Sequence, residues 1–253
     1  MFTKAIVRTP CKAMINGLSN ANLGKPDYQN ALIQHADYIE ALKECGLQVT
    51  VLPADENFPD STFVEDVALM TPYCAVITRP GAPSRMLETV AILDTIREFY
   101  TEVEIIEAPG HVEAGDIMMV GDHYYIGLSE RTNFAGAQQM ISILERHGMS
   151  GSIVEFTDVL HLKTGLGYLE NNHLLACGEF LHMPEFQRFN LLEVDPAEAY
   201  AANSVWINDT VLTPKGFPKT RSLIQSAGYR VRPVDVSEFQ KLDGGLSCLS
   251  LRF

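Results

Sequence analysis

The sequence predicts a single α/β domain built as a five-bladed propeller, with ββαβ-type repeats around a pseudo-fivefold axis. Two observations predict it. A unit of about 45 residues recurs through the chain, a period that belongs to propellers and solenoids. The last copy then runs out of chain after one strand, where another strand is needed. Apolar strands of this kind cannot bury their faces alone but can do so when arranged around an axis. The N-terminal strand, Lys4 to Thr9, is the natural donor of the missing strand, and adding it closes the ring. No low-complexity or linker-like segment interrupts residues 1–253, so the whole chain reads as one domain.

Each unit opens on a polar or Gly-containing loop, enters an apolar strand, turns, and returns in a second apolar strand. The clearest copy is Val112-Glu113-Ala114-Gly115-Asp116, then Ile117 to Val120, a Gly121-Asp122-His123 turn and Tyr124 to Gly127. Gly and Asp suit such a hairpin turn. The copy before it runs from Phe63-Val64-Glu65-Asp66 into Val67 to Met70, turning at Thr71-Pro72. The copy after it starts at Leu160-His161 and turns at Glu170 to His173. A fourth starts at Ala202-Asn203 and turns at Asn208-Asp209, and the fifth is Gly244-Gly245-Leu246-Ser247-Cys248. Helical patterns usually follow: Tyr28 to Cys45, with Leu32, Ala36, Ile39 and Leu42 on one face, then Glu88 to Tyr100, Ala135 to His147 and Lys219 to Ala227. Gly148 and Gly228 sit where helix C-caps are expected. Each pattern hands over to a β-rich run, at Val49 to Leu52, Val103 to Ile106, Ile153 to Phe156 and Tyr229 to Val231.

With 46% hydrophobic and 20% charged residues, the 253-residue chain has an ordinary globular composition and length for a substantial core. No stretch reaches the roughly 18 uninterrupted apolar residues of a membrane-spanning helix. Met1 to Pro10 also lacks the apolar core of a signal peptide. Cys11, Cys45, Cys74, Cys177 and Cys248 form no C-x-x-C pair and no zinc-ligand spacing, which points to free thiols in a reducing cytoplasm. A formal net charge of -13 argues against nucleic acid and anionic membranes as partners and permits a cationic small molecule.

At equivalent points of the five units stand Asp66, Glu113, His161, Asn203 and Cys248, which the repeat would bring to one end of a central channel. A Cys–His pair suits nucleophilic attack on an electrophilic carbon, with the imidazole managing the protons. Two carboxylates beside it would favour a planar cation with several donors, and guanidinium matches. Taken singly, Cys248 between Leu246 and Leu249 reads as a buried structural thiol and His161 as a structural histidine. Asp66, Glu113 and Asp116 read singly as turn or loop residues. Agreement among five units brings function level with structure for this set; Asn203 stays closer to a turn-forming role.

Several segments carry a resemblance: Asn16-Gly17-Leu18, Gly24-Lys25-Pro26-Asp27-Tyr28, Phe58-Pro59-Asp60-Ser61, Phe63-Val64-Glu65-Asp66 and Val112-Glu113-Ala114-Gly115-Asp116. His161-Leu162-Lys163-Thr164-Gly165 and Asp243-Gly244-Gly245-Leu246-Ser247-Cys248 complete the series. In this order and spacing the chain resembles, over essentially its whole length, the dimethylarginine dimethylaminohydrolases of the guanidine-modifying enzyme superfamily. The resemblance implies a five-bladed α/β propeller that hydrolyses N-methylated arginine to citrulline and a methylamine, without metal or organic cofactor. It implies that Cys248 attacks the guanidinium carbon and that His161 protonates the leaving amine and then activates water. Glu113 and Asp66 hold the guanidinium. Arg85 and Arg131 clamp the α-carboxylate, and Asp60 meets the α-amino group with the backbone near Leu18 and Leu242. Glu65 and Asp243 complete the substrate-contacting set.

Lys163 stands where arginine and agmatine deiminases of the superfamily carry an aspartate, which favours methylated arginine over arginine. An arginine-type deiminase or amidinotransferase relative, and a non-catalytic amino-acid-binding propeller, are the alternatives. Residues 16–27 read as a lid or as a passive surface loop. An exposed hairpin edge would allow a homodimer, as is frequent in the family.

Overall fold

The computed structural model describes residues 1–253. Its strands form five three-stranded mixed sheets, each an antiparallel pair extended by a parallel strand. The chain divides into two compact units, Glu65–Thr164 on one side of the division and Met1–Val64 with Gly165–Phe253 on the other.

The larger unit begins with β1 (Lys4–Arg8), α1 (Tyr28–Glu44) and β2 (Gln48–Leu52), β2 lying parallel to β1. Asp27 caps α1 by accepting from the Asn30 amide at 2.9 Å, satisfying one of the donors that a helix start leaves unpaired. The buried stripe of α1 is Ala31, Gln34, His35, Tyr38, Ala41 and Leu42. That face is rotated from the expected one: Leu42 is buried, Leu32 and Ile39 are half-buried, and Ala36 is exposed. The polar residues decide the rotation. Tyr38 donates to Leu246 O at 2.9 Å and meets Ser250 Oγ at 2.7 Å, while Gln34 accepts from Glu238 N and donates to Ser237 Oγ. Buried polar atoms are stable where they find such partners, so α1 turns toward the C-terminal segment.

The smaller unit holds β3 (Ala68–Met70), β4 (Ala75–Ile77), α2 (Glu88–Arg97) and β5 (Val103–Ile105). It continues with β6 (Ile117–Val120), β7 (His123–Leu128), α3 (Phe134–Arg146) and β8 (Ser150–Glu155). The pairs β3–β4 and β6–β7 are antiparallel hairpins, and each helix carries the chain to a parallel third strand. Asn133 caps α3 through Gly136 N at 2.8 Å and takes the His111 amide at 3.0 Å on the same oxygen. Val76, Ile117, Ile126, Ala137, Met140 and Leu144 belong to the core beneath.

A single helical turn, α4 (Leu162–Gly165), leads into β9 (Leu166–Tyr168), β10 (His173–Ala176) and β11 (Asn190–Glu193). Here two 3-10 turns, Gly178–His182 and Pro184–Phe186, take the place of a crossover helix. The last full sheet is β12 (Val205–Ile207), β13 (Thr210–Pro214) and β14 (Arg230–Val234), with α5 (Pro218–Ser226) between the latter two. Finally β15 (Leu251–Arg252) pairs antiparallel with β1, so the N-terminal strand sits between β15 and β2. The N-terminal strand thus pairs with the last strand of the chain. No helix is long and apolar enough to cross a membrane.

Candidate active site

In the smaller unit the acidic residues of the repeat do not lie in formless loops. Val64–Val67 and Ala114–Asp116 are short 3-10 turns that feed β3 and β6, a geometry with poor hydrogen-bond spacing and so used in brief connections. They bring Asp66 and Glu113 together with His161, all three buried. His161 Nε2 and Glu113 Oε2 lie 2.8 Å apart, and the other Glu113 oxygen accepts from Ala82 N at 3.2 Å, with Arg131 Nη1 3.6 Å away. Asp66 accepts from Gly115 N at 3.1 Å and from Arg85 Nη1 at 2.5 Å.

Burial alone pushes the His161 imidazole down, but Asp116, Asp66 and the Glu113 hydrogen bond outweigh it and raise its pKa to about 9. Burial likewise pushes Glu113 up, yet the hydrogen bond and charge of His161, with Arg85 and Arg131, hold it down to about 2. An imidazolium–carboxylate pair at neutral pH is the result. His161 thereby holds a proton that it can donate. Asp116 is a support: it accepts from Ser129 and Thr132 hydroxyls at 2.7 and 2.6 Å and from the Leu162 amide at 3.0 Å. It anchors the residue next to His161, and burial raises its pKa.

Arg85 is buried and forms a fork: Nη1 reaches Asp66, while Nε and Nη2 reach Glu88 at 3.2 and 2.8 Å. Burial works against its charge, but Glu88 and Asp66 more than offset it and raise its pKa. Glu88 is absent from the sequence-based set, although its place three residues after Arg85, one helical turn away, was the available signal. Lys163 pairs with Glu65 Oε1 at 2.5 Å. One potential ligand atom each from Asp66, Glu113 and His161 lies within 4.8 Å of the others, a spacing suited to a metal. The same cluster already balances its carboxylates against the imidazolium and Arg85.

In the larger unit Cys248 is half-buried in the 3-10 turn Ser247–Leu249. Gly245 N donates to its sulfur at 3.4 Å. Asp60 is buried and accepts from Leu18 N at 3.0 Å, while Asp243, at φ 57°, accepts from Asn20 N at 2.6 Å. Ser19 donates to Lys241 O at 2.6 Å, so the exposed segment after Asn16 is tied at two points to residues 241–243. The Leu242 side chain packs in the apolar core with Phe239 and Leu246, and its amide donates to Phe239 O at 2.9 Å. Asp66, Glu113, His161, Arg85 and Arg131 thus gather in one unit, and Leu18, Asp60, Leu242, Asp243, Asn203 and Cys248 belong to the other.

A family model described as N,N dimethylarginine dimethylhydrolase, eukaryotic, matches residues 12–183. The chain is 59% identical to the N(G),N(G)-dimethylarginine dimethylaminohydrolase of Pseudomonas aeruginosa, over 100% of each chain. This chain belongs to the dimethylarginine dimethylaminohydrolase family. The fold agrees in detail: a Pseudomonas aeruginosa family member, solved as a cysteine-to-serine variant complexed with citrulline, superposes with a TM-score of 0.99 over 100% of both chains. A dimethylarginine dimethylaminohydrolase solved as a histidine-to-glycine variant in an adduct with S-methyl-L-thiocitrulline matches equally, at 59% identity and a TM-score of 0.99 over 100% of both chains.

Proposed function

We infer that this chain hydrolyses N-methylated arginine, releasing citrulline and the methylamine through a covalent cysteine intermediate. Family membership over the full chain supports the substrate and product, and the citrulline complex and thiocitrulline adduct of relatives support the intermediate. The observation that carries the chemistry is the buried His161–Glu113 pair beside Asp66.

In the proposed reaction Asp66 and Glu113 hold the guanidinium, and the Cys248 thiolate adds to its central carbon. The tetrahedral adduct collapses as the C–N bond to the methylated nitrogen breaks, and His161 delivers its proton to the departing amine. The neutral imidazole then takes a proton from water, which attacks the thiouronium carbon. Expulsion of the thiolate leaves citrulline. Arg85 and Arg131 receive the substrate carboxylate, while Asp60, with the backbone of Leu18 and Leu242, receives its amine; Glu65 and Asp243 are the further substrate contacts.

The proposal extends to architecture: one catalytic domain whose five sheets stand around a common axis as a closed propeller. The pairing of β1 with β15 supports closure by the N-terminal strand. A cytoplasmic location is supported by five free cysteines. Homodimer formation belongs to the same proposal and rests on the family resemblance alone.

The test is product analysis with asymmetric dimethylarginine, monomethylarginine and arginine side by side. Citrulline with dimethylamine or methylamine is expected, with arginine the poorest substrate. Ammonia from arginine as the main product would establish a deiminase instead. Cys248→Ser should lower turnover by at least about 10³-fold; retained turnover would remove Cys248 as nucleophile.

A further inference from the structure

Asp116 reads in the sequence as a turn residue, yet the folded chain buries it completely within the smaller unit. No step of the proposed reaction uses it. Its Oδ2 accepts from Ser129 Oγ at 2.7 Å and from Thr132 Oγ1 at 2.6 Å, and its Oδ1 accepts from Leu162 N at 3.0 Å. Each of those donors leads to a residue of the site. Ser129 Oγ accepts from the Arg131 amide at 2.9 Å and from the Thr132 amide at 3.2 Å. Thr132 Oγ1 accepts from the Glu113 amide at 3.1 Å, and Leu162 directly follows His161. One carboxylate thus reaches the backbones of Arg131, Glu113 and His161 through a single intervening group each.

Donor and acceptor counts fix the direction of these bonds. An amide N–H can only donate, and a hydroxyl has one hydrogen and two lone pairs. The Arg131 and Thr132 amides take both lone pairs of Ser129 Oγ, which leaves its hydrogen for Asp116. Thr132 Oγ1 accepts from Glu113 N and gives its hydrogen to the same carboxylate oxygen. Asp116 therefore accepts at both oxygens, which a carboxylate can do and a side-chain amide cannot. A buried charge held by three donors resists displacement, because a shift would leave it unpaired. Arg131 is also held from a second side. A Cβ at Gly81 would stand 2.7 Å from Arg131 Cα and 2.6 Å from its carbonyl oxygen, so only glycine permits the approach.

We propose that Asp116 is a positioning residue for the reaction: through Ser129, Thr132 and Leu162 it holds the backbones of Arg131, Glu113 and His161 in one register. The inference rests on the reading of these three as carboxylate clamp, guanidinium holder and proton donor. Its two hydroxyl arms have separate consequences. The Ser129 arm sets where Arg131 meets the substrate carboxylate and so acts on KM. The Thr132 arm sets how Glu113 meets His161, 2.8 Å away, and so acts on kcat.

The experiment compares the full-length chain with Asp116→Asn, Ser129→Ala, Thr132→Val and Thr132→Ser. Two readouts are taken: steady-state turnover of asymmetric dimethylarginine, and amide hydrogen exchange in peptides containing Glu113, Arg131 and Leu162. Ser129→Ala should raise KM about tenfold and leave kcat within about twofold. Thr132→Val should lower kcat about tenfold, whereas Thr132→Ser, which keeps the hydroxyl, should hold it within about twofold. An asparagine at 116 must set its NH2 against a donor on one side or the other. Asp116→Asn should therefore show both kinetic effects and speed exchange about tenfold in all three peptides together.

A residue that merely fills space gives the reverse order at position 132, where valine would be tolerated and serine would not. That order would overturn the proposal, as would a loss of kcat with unmoved KM in Ser129→Ala. Unchanged exchange in Asp116→Asn would also overturn it even if turnover falls, because the carboxylate would then act by charge alone. Should Asp116→Asn fail to fold, the Ser129 and Thr132 variants decide, each loosening its own peptide or failing to. If the wild type turns over no methylarginine, the proposed reaction fails, while concerted faster exchange in Asp116→Asn would leave the anchor standing.

Discussion

At the scale of single residues, the chemistry depends on which proton each buried group keeps. His161 carries a raised pKa of about 9 and Glu113 a lowered one of about 2. Linkage then fixes the stability each contributes. For His161 it is complete below the ordinary imidazole value of 6.5 and lost as pH rises through about 9. For Glu113 it is present above 4.5 and lost as pH falls toward about 2. Denaturant unfolding measured from pH 3 to 10 should therefore lose stability at both ends, and Glu113→Gln should flatten both limbs. The same substitution removes a charge that holds the proton on His161. The alkaline limb of kcat/KM, near pH 9 in the wild type, should move to lower pH, and kcat at neutral pH should fall by about 10²-fold. An unmoved limb would show that His161 is not the acid.

Residue identity alone could nominate Asp66, Glu113, His161 and Cys248, because their types match the chemistry and their spacing follows the repeat. It could not say that Lys163 is partnered rather than solvated. That depends on Glu65, and a contact between segments far apart in sequence leaves no local signature. Asn203 shows the same limit. Its residue type suits a turn, and it does end a 3-10 helix, but the contacts to Ser247 exist only once the C-terminal segment has docked.

Among the elements, helices were legible within one to three residues at each end, since periodicity and C-capping glycines mark them. Which face of α1 is buried was not, because Gln34, His35 and Tyr38 read as polar or amphipathic until their partners are known. The short 3-10 turns bearing Asp66 and Glu113 were read as loops, since three or four residues show no period. Helix α3 offers a direct packing test. Gly136, in its first turn, meets the His111 carbonyl so closely that an added Cβ would stand 2.1 Å from the oxygen. The backbone must shift to admit a methyl group, so Gly136→Ala should lower stability by about 1–3 kcal/mol, read as a drop in thermal midpoint. A gain in stability, as expected from alanine's helix propensity on an open surface, would show that α3 packs differently.

For the whole molecule, five free thiols differ sharply in exposure. Cys11, Cys45, Cys74 and Cys177 are buried, and Cys248 is half-buried. Burial also raises the pKa of the first four, which withdraws their reactive form. A chromogenic disulfide reagent should therefore titrate one thiol in the native protein and five in denaturant, the native one vanishing in Cys248→Ser. More than one fast native thiol would contradict this packing. The sequence by itself determined the repeat, the count of five sheets and the residue types of the chemistry, because each is written in local pattern or spacing. Only the tertiary structure decided the buried face of α1, the protonation of the His161–Glu113 pair, and the clamps on Arg85 and Ser247. Those depend on desolvation and on donors and acceptors brought together from distant parts of the chain, and neither exists before folding.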